Sequence, residues 1–167
     1  MSNIFFKKRS YRTEEVRMMP ISITRAKHDD LEALYNIERE CFTLEAFSKK
    51  QIASLLKNPN SINLLALMDC EIVGFLIALI YEQETQKIGH IYTLDVAVKA
   101  RKQGVGLKLL TELEQILREK EVKVCYLEVK VDNSAALRLY RKLGYIKVEF
   151  LKGFYSGIDG IRMKKIL

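Results

Sequence analysis

Apolar and polar residues alternate from Ile21 to Thr24, the period of a half-buried strand. The spacing then changes. After a possible N-cap at Asp29 or Asp30, Leu31, Leu34, Ile37 and Cys41 recur at intervals of three and four, placing one apolar stripe on a helix that ends near Phe42. A second short helix is expected from Ser48 to just before Asn58-Pro59. Ser61–Leu67 and Glu71–Tyr81 read as strands joined by Met68-Asp69-Cys70 in an antiparallel hairpin, and Gly89–Val98 as a third. Gly104–Lys120 carries Leu109, Leu110, Leu113, Ile116 and Leu117 on one helical face. Val122–Val131 returns to a strand, Ser134–Leu143 forms a short helix stopped by Gly144, and Tyr145–Leu151 with Ile158–Ile166 closes the pattern. The order β-α-α-β-β-β-α-β-α-β-β has no internal repeat and predicts one α/β domain over residues 20–167. Residues 1–19 have neither period and are expected to form a basic, mobile arm.

Composition narrows the class. With 167 residues, 49% of them hydrophobic and 29% charged, the chain is long enough for one core and unlike disordered or collagenous sequences. Three cysteines without CxxC spacing argue against a secreted disulfide framework. The apolar run Ile72–Tyr81 is far shorter than the ~20 residues of a membrane span, and Lys7, Lys8, Arg9 and Arg12 leave no signal-peptide core. The expectation is a cytoplasmic protein without a membrane partner, a monomer or weak oligomer. A net charge of +7 points to an anionic partner.

That charge has an address. Lys99–Lys108 carries +4 and Arg138–Lys152 another +4, whereas Asp29–Glu71 sums to −4. The first cluster contains Arg101-Lys102-Gln103-Gly104-Val105-Gly106, where a strand passes into an amphipathic helix. Glycines let a ligand approach the backbone, and the unpaired N–H groups of the helix start make an anion socket. Flanking cations suit a pyrophosphate. It is neither a Walker A loop nor GxGxxG, and a plain glycine turn is the alternative.

The second cluster contains Asn133-Ser134-Ala135-Ala136-Leu137-Arg138-Leu139-Tyr140-Arg141-Lys142-Leu143-Gly144-Tyr145. An R-x-x-G-x-G turn followed some thirty residues on by N-x-x-A-x-x-L-Y-x-x-L-G-[FY] resembles the GNAT superfamily of acyl-CoA-dependent N-acetyltransferases, over roughly Pro20–Leu167. Within it, Ile37-Glu38 to Cys41-Phe42 with Glu45-Ala46-Phe47-Ser48, then Gly89-His90-Ile91, then Gly153–Gly160 look like the N-terminal protein acetyltransferases. The usual tyrosine near the end of that last signature is Ile161 here, and the loop is a residue short.

The resemblance implies a mixed, mostly antiparallel sheet of about seven strands with about four helices and a V-shaped opening between the fourth and fifth strands. It implies acetyl-CoA as donor, held by the backbone of Leu94, Asp95 and Val96, where a bulge is expected, by Arg101, Lys102, Gln103, Gly104, Val105 and Gly106, and by Asn133, Tyr140, Arg141 and Lys142. Asn133 also suits a helix cap. Tyr140 matches the tyrosine that protonates the leaving thiolate, and Glu128 the general base. His90 matches a histidine acting through water, and Glu45 a loop glutamate that assists with selected substrates. Phe47 and Tyr155 would wall the peptide slot. For each of these groups a packing or ion-pair role is the alternative. No metal is required, since His90 and Glu128 are too few ligands, and Cys125 is read as inert packing.

An α-amine, with an ordinary pKa of about 8 against about 10.4 for lysine, has a neutral fraction at pH 7 roughly 250-fold larger. The expected reaction is therefore direct acetylation of a protein or peptide N-terminus. A lysine or small-molecule acetyltransferase on the same fold is the first alternative, and a non-catalytic CoA-binding subunit or a nucleic-acid module the remote ones. No recognition motif supports specific nucleic-acid binding. The arm, with +3 over residues 1–20, leaves ribosome proximity open.

Overall fold

The computed structural model describes residues 20–42 and 44–167, so the arm expected over residues 1–19 lies outside the described residues. The chain runs through β1 (Ile21–Arg25), α1 (Leu31–Cys41), α2 (Lys49–Lys57), β2 (Ser61–Met68), β3 (Glu71–Gln83), β4 (Gln86–Val96), α3 (Val105–Glu119), β5 (Val122–Lys130), α4 (Ser134–Lys142), β6 (Ile146–Tyr155) and β7 (Ile158–Ile166). The strands form one sheet in the order β1-β2-β3-β4-β5-β7-β6. Every neighbouring pair is antiparallel except β4 and β5, which are parallel.

Local chemistry explains most boundaries. Ser48 accepts a hydrogen bond from the Gln51 N–H, while Gln51 Oε1 accepts from the Ser48 N–H, a reciprocal cap that starts α2. Asp30 stands at the start of α1 without capping it, because its carboxylate accepts the Lys27 N–H at 2.7 Å instead. Val98, expected in a strand, belongs to a short 3-10 turn, Val98–Ala100. Strand β6 runs past Leu151 to Tyr155 and meets β7 through Ser156-Gly157, whose φ values of 48° and 97° make the tight turn.

The sheet is covered on both faces. Leu109, Leu113 and Leu117 of α3 and Leu137 and Tyr140 of α4 pack with Leu76, Ala78, Cys125 and Leu127 on one face. Leu34 and Ile37 of α1 and Ile52 of α2 pack with Phe75 and Ile77 on the other. Between β3 and β4 the register moves from Ile77 opposite Thr93 to Ala78 opposite Ile91, which makes Tyr92 a bulge residue. The bulge was expected at Leu94-Asp95-Val96 and lies two residues earlier. Its consequence is a change of face: Ile91 packs toward α3, and so do Leu94 and Val96, while Thr93 and Asp95 turn to Glu38 on α1. The sequence carries this signal, because the apolar positions step from odd to even across Tyr92.

Strands β4 and β5 pair from Lys87 opposite Val122 to Ile91 opposite Leu127 and not beyond. Glu128, Val129 and Lys130 continue to pair with β7 alone. The sheet therefore splits between the fourth and fifth strands. The backbone groups that β4 withdraws from the ladder face the gap.

Candidate active site

The split opens into a cleft of about 690 Å³ lined by both helical layers. Its anion end is built on the turn before α3, where Lys102 and Gly104 take φ values of 60° and 87°. Gly104 has no side chain to cap α3, and the first N–H groups of that helix receive no side-chain cap, leaving the donors an anion needs. A Cβ on Gly106 would lie 3.1 Å from a Leu139 methyl and 3.9 Å from those of Leu94 and Val96. Only glycine lets β4, α3 and α4 converge there without displacement.

Cations surround this end. Arg101, Lys102, Arg138 and Lys142 line the cleft. Arg101 is held in place, its Nε donating to the Val96 carbonyl at 3.1 Å. Two expected cofactor contacts are absent from the cleft wall: Gln103 donates through Nε2 to the Lys99 carbonyl at 3.0 Å, and Arg141 is exposed on the far side of α4. The reason is helical geometry. Positions 135, 138, 139 and 142 run along one side of α4, and 141 stands about 100° round the helix from 142. Asn133 lines the cleft and also caps α4, its Oδ1 accepting the Ala136 N–H at 3.1 Å. Backbone donors, a side-chain-free turn and four cations fit an acyl-CoA.

Tyr140 and Glu128, the expected acid and base, both line the cleft. Tyr140, on α4, is buried in the cleft wall with its ring edge-on to Tyr145 at 5.9 Å. Burial, followed by the charges of Asp95 and others, pushes its phenol above the usual tyrosine range, so it holds its proton until a strong base appears. Glu128 projects from the face of β5 opposite Leu127 and Val129, which pack with Tyr140. Its Oε1 accepts from Arg162 Nε at 2.8 Å, and its Oε2 lies 2.6 Å from His90 Nε2. Burial raises the Glu128 carboxyl, but the hydrogen bonds from His90 and Arg162 outweigh it and hold the group below the ordinary range. His90, matched to a histidine acting through water, stands beside Glu128 and outside the cleft lining, with 29% of its side chain exposed.

The remaining slot residues come from three elements. Phe47 lines the cleft, its N–H donating at 2.9 Å to buried Glu38 on α1. Glu45, in the same loop, accepts from Lys130 Nζ at 3.0 Å, and that hydrogen bond keeps its carboxyl low. Lys130 Nζ in turn stands 5.6 Å from the centre of the Tyr155 ring. Tyr155 is raised by burial and by the charges of Glu128 and Glu45. Asp95 presents its side chain to Glu38, away from the cofactor end. Its Oδ2 accepts from Thr93 at 2.8 Å, its Oδ1 is buried without a partner, and burial together with the Glu38 charge pushes its carboxyl well up. Cys125 is fully buried and its thiol is pushed up to about 12, first by burial, so it remains protonated and unreactive. Among the described residues no group of three or more His, Cys, Asp or Glu could hold a metal.

Sequence reasoning missed Arg162, Lys130, Arg138 and the Glu38–Asp95 contact. Lys130 and Arg138 had local signals, two residues after Glu128 on a strand and four before Lys142 on a helix. Arg162 had none, because its meeting with Glu128 depends on the β5–β7 register.

Comparison with known proteins agrees with the geometry. The model of the acetyltransferase (GNAT) family matches residues 31–145. The chain is 28% identical over 157 residues to an N-alpha-acetyltransferase of Saccharolobus solfataricus, covering 87% of this chain and 93% of that one. It is 27% identical over 139 residues to the [ribosomal protein bS18]-alanine N-acetyltransferase of Escherichia coli K12, covering 83% and 90%. The crystal structure of the ribosomal-protein-S18-alanine N-acetyltransferase from Escherichia coli superposes with a TM-score of 0.80 at 25% identity, over 88% of this chain and 94% of that one.

Proposed function

The chain belongs to the acetyltransferase (GNAT) family, and from that premise we propose that it transfers the acetyl group of acetyl-CoA directly to the α-amino group of protein N-termini in the cytoplasm. The observation that carries the reading is that Glu128 and Tyr140 line the same cleft, the one that opens where β4 leaves β5. The relatives named as N-terminal acetyltransferases support the choice of amine, and the three free cysteines support a reducing compartment.

Acetyl-CoA, when bound, supplies an activated thioester. Arg101, Lys102, Arg138, Lys142 and the start of α3 hold its phosphates, and the freed N–H groups near Leu94 and Val96 face the developing oxyanion. Phe47 and Tyr155 flank the incoming peptide. The amine nitrogen forms the new C–N bond as the C–S bond breaks. Glu128 accepts the nitrogen's proton and releases it to solvent through the open cleft, while the hydrogen bonds from His90 and Arg162 return it to the carboxylate form. Tyr140 gives its proton to the departing sulfur and regains one from solvent. A carboxylate held below the ordinary range is a weak base, and it suffices because an α-amine is already about a tenth neutral at pH 7.

The test is thiol release from acetyl-CoA with two peptides of one sequence, one with a free N-terminus and one N-blocked with an internal lysine. Turnover confined to the free-N-terminal peptide is expected. Turnover of the blocked peptide alone would transfer the assignment to lysine.

A further inference from the structure

Lys130 stands apart from the other cations of the cleft. Arg101, Lys102, Arg138 and Lys142 gather at the start of α3 and along α4, whereas Lys130 projects from the Glu128 face of β5, between the α1–α2 loop and the β6–β7 hairpin. Its side chain is 21% exposed, its ammonium rests near the face of Tyr155, and its charge is neutralised by Glu45, itself 16% exposed. The pair thus fills the mouth of the slot with a carboxylate on a lysine, supplied by the protein itself.

Resting on the N-terminal reading above, we infer that Lys130 selects substrates with an acidic side chain at their second residue, whose carboxylate replaces that of Glu45 on the Lys130 ammonium. Residues 128 and 130 lie on one face of the strand about 6.6 Å apart. An amine delivered to Glu128 has its second residue, one Cα step of 3.8 Å further on, within side-chain reach of Lys130. The exchange conserves charge. Lys130 keeps an anionic partner throughout. A basic second residue would bring like charge against Lys130, a repulsive element that adds to the attractive one. Neutral second residues fall between.

The experiment measures kcat/KM for peptides Ala-Glu-, Ala-Gln- and Ala-Lys- of otherwise identical sequence with the wild-type protein, Lys130→Gln and Lys130→Glu. Wild type should prefer the Glu peptide over the Lys peptide by at least tenfold, about 1.4 kcal/mol, with the preference weakening as salt rises. The ratio should collapse toward one in Lys130→Gln and invert in Lys130→Glu. Because only ratios within one protein are read, a general loss of activity in a variant does not disturb them. A wild-type ratio near or below one overturns the inference, as does a ratio that survives Lys130→Gln. If no free-N-terminal peptide turns over, the proposed reaction fails. Calorimetric binding of the same peptides to the CoA-loaded protein then gives the ratio, and equal binding of the Glu and Lys peptides would overturn the role of Lys130 independently.

Discussion

Replacing Arg162 with methionine removes the Nε–H donor that sits 2.8 Å from Glu128 Oε1 and leaves burial opposed by His90 alone. Glu128 is 11% exposed, so solvent does little to replace the lost bond. A hydrogen bond to a charged group contributes about 1.5–3 kcal/mol, and one pH unit corresponds to about 1.36 kcal/mol. Protonation of Glu128 should therefore occur about one to two pH units higher in the variant. The assay is kcat/KM for a free-N-terminal peptide from pH 4.5 to 9. In wild type the substrate amine sets a slope of one on the acid side wherever the carboxylate is ionised. In Arg162→Met a second bend, to slope two, should enter at higher pH than in wild type. Arg162→Lys, which keeps a point charge without the planar fork, should fall between. Stability must move in the same sense. A carboxyl held low in the folded state contributes stability above its unfolded pKa and loses it as pH falls through the folded value, so acid unfolding of Arg162→Met should begin at higher pH. Superimposable pH–rate profiles for wild type and Arg162→Met would refute the coupling of Arg162 to the base.

Tyr140→Phe removes only the buried hydroxyl and should lower kcat by about 10²–10⁴ while the peptide KM and melting temperature hold; a kcat within threefold of wild type would exclude Tyr140 as the acid. Cys125→Ala should retain turnover, since transfer is direct, and a folded but inactive variant would point to an acyl-enzyme. Gly106→Ala places a methyl 3.1 Å from Leu139 and should weaken CoA binding at least tenfold by calorimetry, with unchanged affinity contradicting the close approach. For Asp95, burial and then the Glu38 charge raise the folded pKa. Its contribution is therefore fully present below the unfolded pKa and lost as pH rises through the folded value. Asp95→Asn should be more stable than wild type at pH 8 by chemical denaturation, the advantage shrinking toward pH 4; an advantage that grows on acidification would reverse the sign.

The parts of the fold legible in the sequence are those fixed within one element. The leucine spacing of α3, the start of α2 at Ser48 and the Met68–Cys70 hairpin follow from period and turn chemistry, and each stands where expected. Tyr140 and Glu128 were reached through motif resemblance and face the same gap. Contacts that depend on register between elements were not legible. Arg162 meets Glu128 only because β7 pairs with β5 in one alignment, and Glu38 meets Asp95 only because the bulge at Tyr92 turns Asp95 toward α1. Gln103 was assigned to the cofactor as part of the glycine turn and Arg141 as a helix base; the Lys99 carbonyl holds the one, and helix rotation carries the other away from the cleft. His90, reached through motif resemblance, meets Glu128 because the pairing of β4 with β5 places it opposite Tyr126.

The central claim is that the cleft between β4 and β5 delivers acetyl groups to an α-amine. One peptide carrying both a free N-terminus and an internal lysine, incubated with acetyl-CoA and the protein and then sequenced by tandem mass spectrometry, tests it directly. The expected outcome is acetylation of the first residue, with the lysine unmodified and with modification abolished or strongly reduced by Tyr140→Phe. Acetyl found on the lysine with the N-terminus free would contradict it.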